Sequence, residues 1–176
     1  MDGGRPRAGD AAPLIVTLLL DDDSQEQLNA LRRRHFPVER NHLDAHVTMF
    51  HQLPGAELAA VCGELAHVSR RARFDVTVSG LRFLGRGVAY TLSSPALAAM
   101  RAELASAWAP WLTPQDRQPY APHVTVQNKV TPERARILHA DLAASFTPYV
   151  IQAVGLAAWH YEGGPWRPAS LHPFDG

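Results

Sequence analysis

The chain has 176 residues, 46% of them hydrophobic and 19% charged, which suffices for one well-packed domain or two small lobes sharing a core. Its 17 basic residues balance 17 acidic ones, which excludes a general nucleic-acid binder held by bulk electrostatics and leaves room only for a local basic pocket. The single cysteine, Cys62, excludes an intrachain disulfide and a cysteine-based zinc site; it reads as a small core residue and fits a reducing compartment.

Residues 1–13, rich in Gly, Pro, Arg and Asp, read as a disordered leader. The apolar run at 14–20 is about a third of the roughly 20 residues that cross a membrane. It reads as a buried strand between Pro13 and an acidic cluster, so neither a signal peptide nor a membrane span is expected, and the expected location is the cytoplasm. Ser24 and Gln27 suggest a capping box for a helix with Leu28 and Leu31 inward, ended by Pro37. AHVTMF at 45–50 is β-rich, Pro54-Gly55 marks a turn, and 56–69 reads as a helix with Leu58, Val61, Cys62 and Leu65 on one side. FDVTV at 74–78 alternates as a strand.

The second half follows the same order. A strand at 88–93 precedes a helix opened by Pro95, with Leu97, Met100, Leu104 and Trp108 at helical spacing. HVTVQNKV at 123–130 reads as a strand, Thr131 and Pro132 open a helix with Ile137, Leu138 and Leu142 inward, and 149–159 is a long strand before an aromatic tail. Two β-α-β-α-β halves result, about 14–87 and 88–176, within one domain spanning 14–176. Related by a pseudo-two-fold axis, they would bring equivalent strands together.

The middle strand of each half carries His-Val-Thr: His46-Val47-Thr48 and His123-Val124-Thr125. Residues i and i+2 of a strand share a face, so each motif presents an imidazole and a hydroxyl roughly 6–7 Å apart, with the valine turned to the packed side. Two such strands make a cradle suited to a phosphodiester. One histidine activates water or a ribose hydroxyl, the other protonates the leaving oxygen, and the threonines donate to the non-bridging oxygens. That chemistry needs no metal and no cofactor.

AHVTMF and PHVTVQ, with the turn Leu53-Pro54-Gly55, the approach Pro119-Tyr120-Ala121-Pro122 and the tail residues Trp166 and Pro173-Phe174, resemble the 2H phosphoesterase superfamily, specifically its bacterial 2′-5′ RNA ligase-like and cyclic phosphodiesterase branch. The resemblance implies an α+β, bilobal fold with antiparallel sheets around a central cleft. It also implies that His46, Thr48, His123 and Thr125 are catalytic without a metal, on 2′,3′-cyclic phosphates, 2′-5′ linkages or related nucleotides. The expected partner is an RNA end or small nucleotide, with no obligate protein partner. The reverse reaction, 2′-5′ ligation, uses the same acid and base, and a non-catalytic binder of nucleotides or RNA ends is the alternative of another class.

Four further residues are candidates for substrate binding. Phe50 and Tyr120 flank the motifs and could stack on a base. Gln127 and Lys129 share parity with His123 and Thr125 if the strand runs unbroken to Val130, and Lys129 is the only lysine in the chain. His42, His46 and His51 do not form a metal set on a strand, so no metal site is expected. Asp44 shares parity with His46 and reads as a solvated carboxylate, and Arg32-Arg33-Arg34 as a solvated helix end.

Overall fold

The computed structural model describes residues 12–176. The leader expected at 1–13 therefore lies outside the described residues except for its last two, where the Pro13 carbonyl accepts a hydrogen bond from Tyr161 N–H. Seven strands form one antiparallel sheet: β1 (Leu14–Leu20), β2 (Val47–Leu53), β3 (Phe74–Phe83), β4 (Val88–Ser93), β5 (His123–Gln127), β6 (Tyr149–His160) and β7 (Arg167–Pro173). Among the described residues, four α-helices accompany them: α1 (Asp22–His35), α2 (Leu58–Val68), α3 (Pro95–Ala107) and α4 (Pro132–Ser145). Among the described residues, no helix is long and apolar enough to cross a membrane.

The strand order β2-β1-β6-β3-β4-β5 reads the same from either end once the halves are exchanged. β1 corresponds to β4, β2 to β5 and β6 to β3. The pseudo-axis therefore passes between β3 and β6, and each lobe takes its third strand from the other half of the sequence. β6 is long enough to serve both lobes. Its residues 149–153 pair with β3, and 153–160 pair with β1. β7 continues the edge occupied by β3, pairing with 155–160 of β6. The sequence had offered this tail only as an aromatic segment. Its Pro168 and Pro173 cost it backbone donors, which suits it to the outer position it takes.

The sequence-derived elements hold, with shifts at their ends that have local causes. α1 begins before Ser24, because Asp21 is the N-cap and accepts from Ser24 N–H at 2.9 Å. The Ser24 hydroxyl instead accepts from Gln152 N–H in β6. Ser94 and Thr131 cap α3 and α4 ahead of Pro95 and Pro132. Ile137 is 57% exposed, against its expected inward place; Ala135 is the buried residue of α4. Cys62 is only partly buried. The core joins Leu14, Val16 and Leu18 of β1 with Leu28, Leu65, Leu97, Met100, Leu104, Ile151 and Leu156, and Trp108 closes it behind α3.

Candidate active site

The middle strands of the two sequence halves are the two edge strands of the sheet, and the sheet curls until β2 and β5 face each other. An edge strand leaves carbonyls without a ladder partner. Here donors from the opposite half fill those places. Arg32 of α1 reaches the Thr125 carbonyl through Nη1 at 2.9 Å. Arg101 of α3 reaches the Met49 carbonyl through Nε at 2.8 Å, and the Tyr120 hydroxyl donates to the Thr48 carbonyl at 3.0 Å. Arg32 and Arg101 are 5% and 6% exposed, so Arg32 is an internal brace and not part of a solvated helix end.

One face of α1 also sets the loop that delivers the first motif. Gln25, Asn29 and Arg32, at helical spacing, hold the Ala45 carbonyl (2.7 Å), the Ala45 N–H (2.8 Å) and the Leu43 carbonyl (3.0 Å). His46 stands just before β2, and His123 is the first residue of β5. Each imidazole donates Nδ1–H to the backbone carbonyl two residues earlier: His46 to Asp44 at 2.8 Å, His123 to Ala121 at 2.9 Å. A carbonyl can only accept, so both rings carry hydrogen on Nδ1 and leave Nε2 for chemistry. It is the Asp44 carbonyl, not its carboxylate, that orients His46.

Both motifs carry a β-bulge immediately after the threonine. Thr17 and Val16 of β1 oppose Thr48 and Phe50, so Met49 is the extra residue. Ala89 and Val88 of β4 oppose Thr125 and Gln127, so Val126 is the extra residue. A bulge breaks the alternation of faces. Met49, Phe50, Val126 and Gln127 are all buried, while His46, Thr48, His123 and Thr125 keep partial exposure toward the cleft.

The two bulges and the early end of β5 correct three of the expected binding residues. Phe50 has no exposed surface; its ring meets Trp108 edge-on at 4.9 Å and carries the Arg101 guanidinium at 3.9 Å. Gln127 is turned into the core, and its Oε1 has no hydrogen-bond partner among the described residues. Lys129 lies beyond the end of β5, exposed, in a left-handed turn with φ of 62°. The β3–β4 hairpin presses on the end of β5 there. A Cβ on Gly87 would stand 1.9 Å from the Gln127 carbonyl oxygen, so only glycine fits. Tyr120 does line the cleft, but its hydroxyl is committed to Thr48, and burial pushes its proton affinity up so that it stays a donor.

Two cavities flank the motifs. One, of about 470 Å³, opens on His46 and is lined by Thr17, His42, Asp44, Trp159 and Trp166. The other, of about 400 Å³, opens on Thr48 and His123 and is lined by His51, Arg82, Asp116 and Tyr120. Trp166 packs edge-on against the His46 ring at 4.7 Å, and Trp159 donates Nε1–H to the Thr17 hydroxyl at 2.9 Å. His46 loses its proton more readily than an ordinary histidine. Loss of solvent is the main cause, opposed by the bond to the Asp44 carbonyl and reinforced by the positive charges of Arg32, His123 and His51.

Several of these residues carry no sequence signal for the site. Trp166 belongs to the tail that shares in the family resemblance, but nothing in its spacing places it beside His46, and Asp116 stands in an unpatterned loop. The Asp116 carboxylate, 2% exposed, accepts from the N–H groups of His51 and Gln52 and from His51 Nδ1 at 2.9 Å. Burial acts to raise its pKa, but these bonds from His51 and Gln52 prevail and hold it below the usual value. Arg101 Nη2 ties the Asp116 carbonyl at 2.8 Å, so α3, this loop and β2 form one braced unit.

The chain covers 94% of its length against Escherichia coli LigT complexed with 3′-AMP, spanning 99% of that chain at 20% identity and a TM-score of 0.62. It likewise covers 93% of its length against a Thermus thermophilus protein, spanning 98% of that chain at 14% identity and a TM-score of 0.65. A structure described as a phosphoesterase aligns over 94% of this chain and 99% of its own, at 18% identity and a TM-score of 0.60. At these identities the shared property is the fold. No curated protein matches the chain in sequence. The family profile described as the 2′-5′ RNA ligase superfamily matches residues 20–165, most of the chain. With its paired His-x-Thr strands, the chain belongs to that superfamily of 2H phosphoesterases.

Proposed function

We propose that this chain is a metal-independent phosphodiesterase that acts on RNA ends or nucleotides bearing a 2′,3′-cyclic phosphate or a 2′-5′ linkage. The observation that carries the reading is the pair of imidazoles, each fixed through Nδ1 to a backbone carbonyl, with Nε2 left free beside a threonine hydroxyl. His46, desolvated and neutral, is the base. Its Nε2 takes the proton of water, or of a ribose hydroxyl in transesterification, as that oxygen attacks phosphorus. His123 is the acid, giving its Nε2 proton to the departing ribose oxygen. Thr48 and Thr125 donate to the non-bridging oxygens as negative charge grows there. One proton is taken and one given, so the residues complete the reaction without a metal.

The structures of E. coli LigT with 3′-AMP, NADP+, ATP and phosphate support a nucleotide as the substrate class. In this chain the Trp166 ring beside His46 is the aromatic surface for a base, the role that the sequence offers to Phe50 and Tyr120 as residues flanking the motifs. The test is purified protein in excess EDTA against 2′,3′-cyclic mononucleotides, 2′-5′ and 3′-5′ dinucleotides and cyclic-phosphate-ended RNA, with the product isomer read out. Turnover of the cyclic phosphate or the 2′-5′ linkage is expected. Activity that vanishes on chelation and returns with one divalent ion contradicts the metal-free mechanism.

A further inference from the structure

Among the side chains lining the cavity beside Thr48 and His123 are Arg82 and His51, which the reaction above does not use. Arg82 of β3 pairs with Ala89 of β4, and Ala89 pairs with Thr125 of β5. Cross-strand partners share a face of the sheet. Arg82 therefore stands in one row with Thr125, on the cleft face, with Cα atoms roughly 10 Å apart across two strand spacings. The residue between them is alanine, and the row behind runs from His123 through Thr91 to Gly80. Ala89 itself is fully buried, and it is the cavity that brings Arg82 into one hollow with Thr48 and His123.

Arg82 is exposed, and it makes no ion pair and no side-chain hydrogen bond among the described residues. The arginines on the neighbouring elements are committed elsewhere. Arg32 and Arg101 are spent on carbonyls, and Arg86 donates Nε–H to the Val130 carbonyl. Across the cavity, His51 donates Nδ1–H to Asp116, which turns its Nε2 away from that carboxylate. Asp116 is the one carboxylate lining this cavity among the described residues. Its oxygens already accept from two backbone N–H groups and the His51 ring, and it is buried behind them. The wall that meets a ligand thus carries a guanidinium, an oriented imidazole, the Thr48 hydroxyl and the amides of Gln115 and Gln118, a combination that receives an anion.

From this arrangement we infer that the cavity is a second phosphate subsite, in which Arg82, with His51 opposite it, binds the phosphate flanking the one that reacts. This inference rests on the phosphodiesterase reading and narrows it. With an aromatic pocket on the His46 side and an anion subsite on the His123 side, the substrate class is a nucleotide chain end carrying a neighbouring phosphate, in preference to a bare cyclic mononucleotide.

The test compares two substrates that differ by one phosphate: adenosine 2′,3′-cyclic phosphate and its 5′-phosphorylated form. Wild-type kcat/KM should favour the phosphorylated substrate by about tenfold or more, the effect of one charge-assisted hydrogen bond. Arg82→Gln should bring that ratio close to one, and His51→Gln should lower it part of the way. In parallel, calorimetry with adenosine 3′,5′-bisphosphate and 3′-AMP should show the same Arg82-dependent difference in Kd, whether or not either cyclic phosphate is turned over. A wild-type ratio near one, a ratio that survives Arg82→Gln, or equal binding of the two product nucleotides overturns the subsite. Failure to turn over either cyclic phosphate, with Arg82-dependent binding of the bisphosphate intact, overturns the catalytic reading alone.

Discussion

The two His-x-Thr motifs are built alike and placed differently. Each imidazole is pinned to the carbonyl two residues before it, each threonine is followed by a bulge, and each strand is braced by a buried arginine from the other half. Their surroundings diverge. His46 sits against Trp166, close to the charge of Arg32, and gives up its proton early; His123 opens on the cavity of Arg82 and His51. In the mechanism proposed above, His46 takes a proton and His123 gives one, and their different surroundings are the physical ground for that division.

The largest effects should come from removing either member of the pair. His46→Ala and His123→Ala should each lower kcat by at least about 10²-fold, the ordinary worth of a general base or acid. Folding is checked by circular dichroism. Near wild-type turnover from either folded variant breaks the two-histidine account.

Next is the brace. Arg101→Met removes two hydrogen bonds to carbonyls and the cation stacked on Phe50, leaving the Met49 carbonyl without its donor. A loss of roughly 3 kcal/mol in urea unfolding is expected, since bonds to charged groups are worth about 1.5–3 kcal/mol each and Met recovers some packing. A loss below about 1 kcal/mol would mean that the strand pairings between the halves and the bonds from Arg32 and Tyr120 hold the fold without this brace.

Asp116→Asn should cost less, about 1–2 kcal/mol at pH 7. The sign follows from linkage. The folded-state pKa of Asp116 is depressed by its bonds, so the stabilisation is complete above the unfolded carboxylate value near 3.8 and is lost as pH falls through the lower folded value. The gap between wild type and variant should therefore narrow as the pH falls below 3.8. A gap that does not narrow as the pH falls below 3.8 assigns the loss to packing instead.

The smallest effect sharpens the asymmetry. In wild type, the acidic limb of the pH–rate profile should lie below 6.5, because His46 must be neutral and its proton affinity is lowered. The profile should be bell-shaped, with both limbs belonging to the coupled pair. Trp166→Ala readmits water to His46, so the acidic limb should move up toward 6.5 and KM should rise several-fold as a stacking surface is lost, worth about 1 kcal/mol or more. An unmoved limb would detach Trp166 from the tuning of His46.

Much of this was legible in the residues. Alternation, helical spacing and capping signals locate the helices and most strands, and the repeated order of elements anticipates the palindromic sheet. The paired His-x-Thr points to the cleft. Parity along one strand is where sequence reasoning fails. Phe50, Gln127 and Lys129 follow their threonines at even spacing, yet a one-residue bulge, fixed by pairing with β1 and β4, turns Phe50 and Gln127 inward, and β5 ends before Lys129. Nothing local to HVTMF or HVTVQ encodes that insertion. Arg82, Arg101, Asp116 and Trp166 reach the site only through tertiary pairing between distant segments, so no spacing in the chain could have joined them.

The division of labour between the histidines is tested most directly by making the leaving group independent of an acid. A nucleoside 3′-(p-nitrophenyl phosphate) expels p-nitrophenolate, which departs without being protonated, while attack on phosphorus still needs a base. With this substrate, His123→Ala should regain turnover to within about tenfold of wild type, and His46→Ala should stay at least about 10²-fold down. Rescue of His46→Ala in place of His123→Ala would reverse the assignment of base and acid, and equal loss in both variants would contradict it.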